Sequence, residues 1–164
     1  MHIMATMMNR GTDSERGQAI IELALTLPLL LLIVLGVFDF GLMFQRYEVV
    51  TNAAREGARV AVLPEYTDLH QSEVHAATYL ASGGLTATPV NTAGCTGAVT
   101  PGRICVSTQT STDTIPATPS FTVDVMNVTV TYDHEHVFVG PIMGLFGGSL
   151  GTTRLTAVSR MRKE

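Results

Sequence analysis

A long apolar run lies near the N-terminus, from Ala19 to Phe44, and its only charged residues are Glu22 and Asp39. As a helix it would extend about 39 Å at 1.5 Å per residue, which is enough to cross a hydrocarbon layer of roughly 30 Å. The run therefore predicts a membrane-spanning helix. A carboxylate inside a membrane costs roughly 2.5–3.5 kcal/mol, so Glu22 requires a compensating partner.

The helical pattern continues past the apolar run, because small and apolar residues recur at spacings of three and four, typical of a helix with one buried stripe. The stripe comprises Val50, Ala53, Ala54, Gly57, Ala58 and Ala61. Pro64 marks the expected end of the helix. One helix of about 45 residues is predicted, with its second half packed on a soluble domain. Pro28 predicts a mild kink rather than a functional break.

A shorter helix is predicted after Pro64, ending at a Gly pair suited to a C-cap. Its residues at helical spacing are Leu69, Val74, Ala77 and Leu80. The following stretch, from Leu85 to Ser120, has few large apolar residues and predicts a surface excursion in which only "RICVS" forms a short strand.

Alternating apolar residues then predict two strands, "FTVDVMNVTVTY" and the terminal "TRLTAVSRMRKE". The alternation in the first shifts by one residue, which predicts a β-bulge at Met126–Asn127. The connection between the strands is apolar and rich in Gly, and it would expose an interaction patch. That patch would comprise Phe138, Ile142, Met143, Leu145 and Phe146. The expected fold is α+β, a long N-terminal helix packed on a small antiparallel β-sheet domain.

Composition and local motifs exclude several functions. The net charge of −4 comes with scattered Arg residues, so no basic stripe indicates a nucleic-acid partner. Cys95 and Cys105 favour a disulfide formed outside the cytoplasm over a metal site. His134 and His136 have weak chelating geometry, and a surface loop is the favoured interpretation. With no phosphate-binding loop and no catalytic Ser/His/Asp set, we expect neither a cofactor nor enzymatic activity.

Glu22 is explained if a peptidase cuts between Gly17 and Gln18, which makes Glu22 the fifth residue of the mature chain. The new terminal ammonium of one chain could then meet the carboxylate of a neighbouring, staggered chain. At about 4 Å such a pair is worth roughly 1 kcal/mol in water and about 4 at an effective dielectric near 20. Glu22 would thus act in assembly. Asp39 is either a second assembly residue or simply reaches water.

The strings "RGQAIIELALTLPLLLLIVLGVFDFG" and "TNAAREGARVAV" resemble the TadE-like minor pseudopilins of Tad (tight adherence) pili, within the type IV pilin superfamily. The resemblance is strong over residues 16–63 and moderate over 125–164. It implies cleavage by a prepilin peptidase at the bacterial inner membrane, a domain outside the cytoplasm, and assembly with other pilin subunits on a pilus assembly platform. Because major Tad pilins are much shorter, it implies a minor or initiating subunit.

The expected domains are a leader at 1–17, a transmembrane and assembly half-helix at 18–44, a soluble half-helix at 45–63, and an extracytoplasmic α+β domain at 64–164. Two alternatives remain: an uncleaved, signal-anchored binding module, and a membrane-tethered enzyme that uses His134 and His136 with a metal.

Overall fold

The computed structural model describes residues 11–65, 68–85, 95, 97, 100–117, 119–145 and 147–163, with side chains from Gly17 onward. The elements in chain order are α1 (Gly11–Ala61), α2 (Leu69–Ser82), β1 (Ile104–Ile115), β2 (Phe121–His134), α3 (Val139–Leu145) and β3 (Thr153–Arg162). The strands form one antiparallel sheet in the order β1-β2-β3. The α+β prediction is confirmed.

The second half of α1 packs on the sheet and on α2 through the predicted stripe. All six stripe residues are buried. Gly57 lies where the three elements meet, since a Cβ there would be 3.0 Å from the Cβ of Ala76 and 3.1 Å from Cγ1 of Val128. The small residues of α1 therefore permit the close approach on which the core depends. The helix continues through Pro28.

The predicted second helix is confirmed as α2, and Ala77 and Leu80 of its predicted set are buried, but Val74 is not. The Asp68 side chain accepts a hydrogen bond from the His70 N–H at the N-terminus, and Gly83 forms the C-cap. Val74 is 37% exposed. The buried face also includes Ser72 and Glu73.

Those two polar residues are buried because they meet the edge strand β1. The Thr108 N–H donates to Oε1 of Glu73 at 3.0 Å, and the hydroxyls of Ser72 and Thr108 lie 2.7 Å apart. Helix α2 therefore covers this strand edge with side-chain acceptors, where a further strand could otherwise pair.

Two predictions for the sheet are wrong. Strand β1 extends to Ile115, far beyond "RICVS", because it pairs with β2 residue by residue from Ile104↔Tyr132 to Ile115↔Phe121. The predicted bulge at Met126–Asn127 is absent, since both residues pair one-to-one with β1 and β3. The shift in alternation arises because β2 has apolar side chains on both of its faces. The terminal strand is confirmed as β3.

The Gly-rich connection between β2 and β3 contains α3, a single helical segment that packs against α1. Of the predicted patch, Leu145 is 86% exposed and Phe138 40% exposed. Ile142 and Met143 are half-buried, and Phe146 lies outside the described residues. Helix α3 ends in a glycine motif: the N–H of Gly147 donates to the Gly144 carbonyl, and the N–H of Gly148 donates to the Met143 carbonyl.

Candidate functional site

The first half of α1 presents an uncovered apolar surface. Its side chains are exposed from Gly17 to Leu31. An 18-residue window of α1 between Gly17 and Ala61 has a mean hydropathy of 2.7, with none of the window buried. Among the described helices, α1 is the one long and apolar enough to cross a membrane. Exposure of this face to water costs about 25 cal/mol per Å² of apolar surface, so the face requires lipid or protein around it.

Between Gly17 and Phe38, Glu22 is the one charged residue of α1, and its side chain is exposed. The backbone carbonyl of Glu22 accepts a hydrogen bond from the Thr26 hydroxyl at 3.0 Å. Around Gly17 the structure is open, since a Cβ there would meet nothing within 4 Å. The predicted cleavage position, with Gln18 after it, is thus accessible but lies within continuous helix.

Asp39 is buried, with a relative exposure of 1%. Its carboxylate accepts hydrogen bonds from the N–H groups of Val137, Phe138 and Val139, at distances from 2.7 to 3.1 Å. Asp39 therefore fixes the start of α3 to α1. At 1.5 Å per residue it lies about 25 Å along the helix from Glu22, so the structure does not bring the two predicted assembly residues together.

Arg46 joins α1 to the end of β2. It donates to the Tyr132 hydroxyl and to Nδ1 of His134, the latter at 3.1 Å. Because a guanidinium has no acceptor, Nδ1 must accept, which requires a neutral imidazole. Burial, followed by the charge of Arg46, lowers the pKa of His134 below its usual value.

The expectation that His134 belongs to a surface loop is wrong. It is the last residue of β2 and is fully buried. Its ring lies 5.3 Å from that of His136, centroid to centroid. Among the described residues, no group of three or more His, Cys, Asp or Glu side chains could hold a metal ion.

An ion pair between Asp133 and Arg154 links the backbone at Thr100, just before β1, to the sheet. Arg154 donates to both carboxylate oxygens of Asp133, at 2.7 and 2.9 Å, and the Thr100 N–H donates to the same carboxylate at 3.0 Å. The hydrogen bonds from Arg154 lower the pKa of Asp133. Cys95 and Cys105 are disulfide-bonded, with Cα atoms 5.6 Å apart.

The sequence did not predict the structural roles of the Asp39 and Asp133 carboxylates. Asp133 and Arg154 are far apart in the chain, and their antiparallel pairing in β2 and β3 brings them together. Asp39 could have been suspected from its position in an apolar run, because a charge there needs hydrogen-bonding partners. The carboxylates of Asp39 and Asp133 each accept hydrogen bonds from backbone N–H groups and thereby hold loops in place. Among the described residues, the exposed apolar face of α1 is a surface available for contact with lipid or protein.

Comparison with known proteins gives a match in this same N-terminal part of the chain. Residues 17–59 match the family model described as TadE-like protein. No curated protein and no solved structure matches. The match begins at Gly17 and ends near the end of α1, so it covers the exposed apolar surface and the buried stripe together. The N-terminal helix of this chain is therefore similar to that of TadE-like proteins over residues 17–59.

Proposed function

We propose that this chain is a minor pilin or pseudopilin that is cut between Gly17 and Gln18 by a prepilin peptidase and joins a Tad-type pilus used for surface adhesion. One observation carries the proposal: α1 exposes an apolar face with a single carboxylate, Glu22, and the TadE-like match begins at Gly17. Such a face suits a helix that resides in lipid before assembly and packs against other subunits afterwards.

The charge of Glu22 provides the register for this assembly. Uncompensated in a membrane it costs roughly 2.5–3.5 kcal/mol, and a pair with the terminal ammonium of a neighbouring subunit returns about 4 kcal/mol at an effective dielectric near 20. The two magnitudes are similar. Entry into the filament is therefore favoured only when the carboxylate of one subunit reaches the new terminus of the next.

The proposed location is the bacterial inner membrane, with a single span and residues 64–164 outside the cytoplasm, and the pilus after assembly. The Cys95–Cys105 disulfide supports an oxidising compartment for this domain. The proposed partners are other pilin subunits through α1, the prepilin peptidase and the assembly platform. Asp39 contributes to assembly indirectly, by holding α3 against the helix.

Processing is tested by sequencing the N-terminus of the mature protein from cells that express the peptidase. We expect it to begin at Gln18, and Gly17→Ala should leave the full-length precursor in the membrane. Gly41→Ala is a suitable control, because Gly41 also has open surroundings in α1. An intact leader in the wild-type protein would refute the proposal and favour the uncleaved binding module.

Assembly is tested separately with Glu22→Ala. This variant should be processed normally but should be depleted from sheared filaments, as measured by immunoblotting against the wild type. Glu48→Ala is the matched control, since Glu48 is also an exposed glutamate of α1 but lies in its soluble half. Equal incorporation of both variants would contradict the ion-pair account while leaving processing untouched.

A further inference from the structure

The segment from Val137 to Gly151 has no charged residue, and it includes α3. Helix α3 lies along the apolar half of α1. Leu145 and Ile142 line one side of an open groove of 470 Å³, and the other side is formed by α1 residues that include Leu29 and Leu32. The segment therefore lies beside the stretch of α1 that is most apolar, and Leu145 is 86% exposed there.

The position of α3 along α1 follows from two contacts. The Asp39 carboxylate fixes the first residues of α3, and the groove brings Leu145 beside the stretch of α1 from Pro28 to Leu35. Roughly 6–16 Å of helix axis separates Asp39 from this stretch at 1.5 Å per residue. The segment therefore extends up to about half of a 30 Å hydrocarbon layer from Asp39.

Backbone N–H groups at both ends of α3 have hydrogen-bond acceptors within the protein. At its start, three N–H groups donate to Asp39. At its end, the N–H groups of Gly147 and Gly148 donate to carbonyls of the last helical turn. A segment at membrane depth requires this, because each unsatisfied backbone group costs several kcal/mol in hydrocarbon. A loop in water has no such requirement.

We propose that α3 inserts into lipid beside α1, so that the membrane anchor is a helix with a short re-entrant segment. The acyl chains of the membrane that α1 crosses cover Leu145 and fill the groove. This inference rests on the proposed function, in which α1 spans a membrane. Asp39 then holds the re-entrant segment at the helix, and hydrogen bonds from backbone N–H groups stabilise its negative charge.

Tryptophan fluorescence tests the proposal directly, because the chain contains no Trp. Full-length Leu145→Trp protein is reconstituted at low density into phosphatidylcholine vesicles with and without brominated acyl chains. We expect a blue-shifted emission that brominated lipid quenches. Leu30→Trp, on the exposed face of α1, is the positive control, and Val158→Trp, on the exposed face of β3, is the unquenched control.

The outcomes separate this inference from the function on which it depends. Quenching of Leu30→Trp without quenching of Leu145→Trp overturns the insertion of α3 and leaves the span intact. Absence of quenching in both overturns the span itself. An emission from Leu145→Trp that is blue-shifted only at high protein density, and unquenched by lipid, means that a second copy covers α3 and also overturns the proposal.

Asp39→Asn in the Leu145→Trp background provides a second test. The amide nitrogen cannot accept the hydrogen bonds that fix α3, so we expect weaker quenching of the introduced indole. Unchanged circular dichroism would show that the fold is retained, and unchanged quenching would contradict the anchoring part of the proposal. If the double variant does not fold, the result with Leu145→Trp alone still decides insertion.

Discussion

The Asp133–Arg154 pair should contribute far more stability than the second Asp–Arg pair of the same sheet. The side chain of Asp133 is 2% exposed and that of Arg154 is 26% exposed. In the second pair, the side chains of Asp113 and Arg160 are 51% and 55% exposed. Removing one partner of a buried pair costs about 3–5 kcal/mol. An exposed pair contributes about 0–1 kcal/mol.

Asp133→Asn is therefore expected to lower the free energy of unfolding by about 3 kcal/mol, at the lower end of the buried range because Arg154 retains some contact with water. The Asn side chain can accept from Arg154 with only one oxygen, and its amide group opposes the guanidinium. For a chain of this size each kcal/mol corresponds to about 2–4 °C in Tm. The expected decrease is thus about 6–12 °C.

The measurement is thermal unfolding of full-length protein in detergent micelles, followed by circular dichroism, with Asp113→Asn as the matched control. Because hydrogen bonds from Arg154 lower the pKa of Asp133 below 3.8 in the folded state, its contribution is present above the unfolded pKa. It is lost as the pH falls through the folded pKa. The difference between wild type and Asp133→Asn should therefore shrink in acid. Equal effects of the two substitutions at neutral pH would refute the reasoning.

Two further perturbations test the packing of the domain. Gly57→Ala should lower the free energy of unfolding by about 1–3 kcal/mol, since the added methyl is forced into a filled junction. Gly41→Ala is the control and should not destabilise the protein. Urea titrations of the two variants compare their free energies of unfolding. The double substitution Cys95→Ser/Cys105→Ser should cost about 2–3 kcal/mol through the greater entropy of the unfolded chain, and addition of a reductant to the wild type should reproduce the loss. A stable Gly57→Ala protein, or a reductant-insensitive wild type, would contradict these expectations.

The helices were predictable because their signals are local. The spacing of small residues in α1 indicated a buried stripe, and the structure buries every member of it. Strand β1 was underestimated because its Thr- and Ser-rich half has no apolar alternation; its extended form depends on pairing with β2, which no local pattern records. The same reason accounts for Ser72 and Glu73, whose burial depends on the strand edge beside them.

The candidate site was predictable only in part. The apolar run and Glu22 follow from hydropathy, which is a property of the sequence itself. The partners of Asp39 and Asp133 follow from tertiary folding: Asp39 meets residues that are distant in the chain, and Asp133 meets an arginine on the next strand. Hydropathy indicates that a buried acid needs compensation, but it does not identify the donor.

The position of Gly17 inside α1 has a kinetic consequence for the cleavage that we propose. Peptidases hydrolyse bonds that are presented in an extended form, and the Gly17–Gln18 bond lies within regular helix. Cleavage would therefore require the helix to unwind locally around this bond. Glycine eases that step, because it is about 1 kcal/mol less favourable than alanine in a helix interior. The same residue would then serve both as a recognition element and as the weak point at which the helix opens.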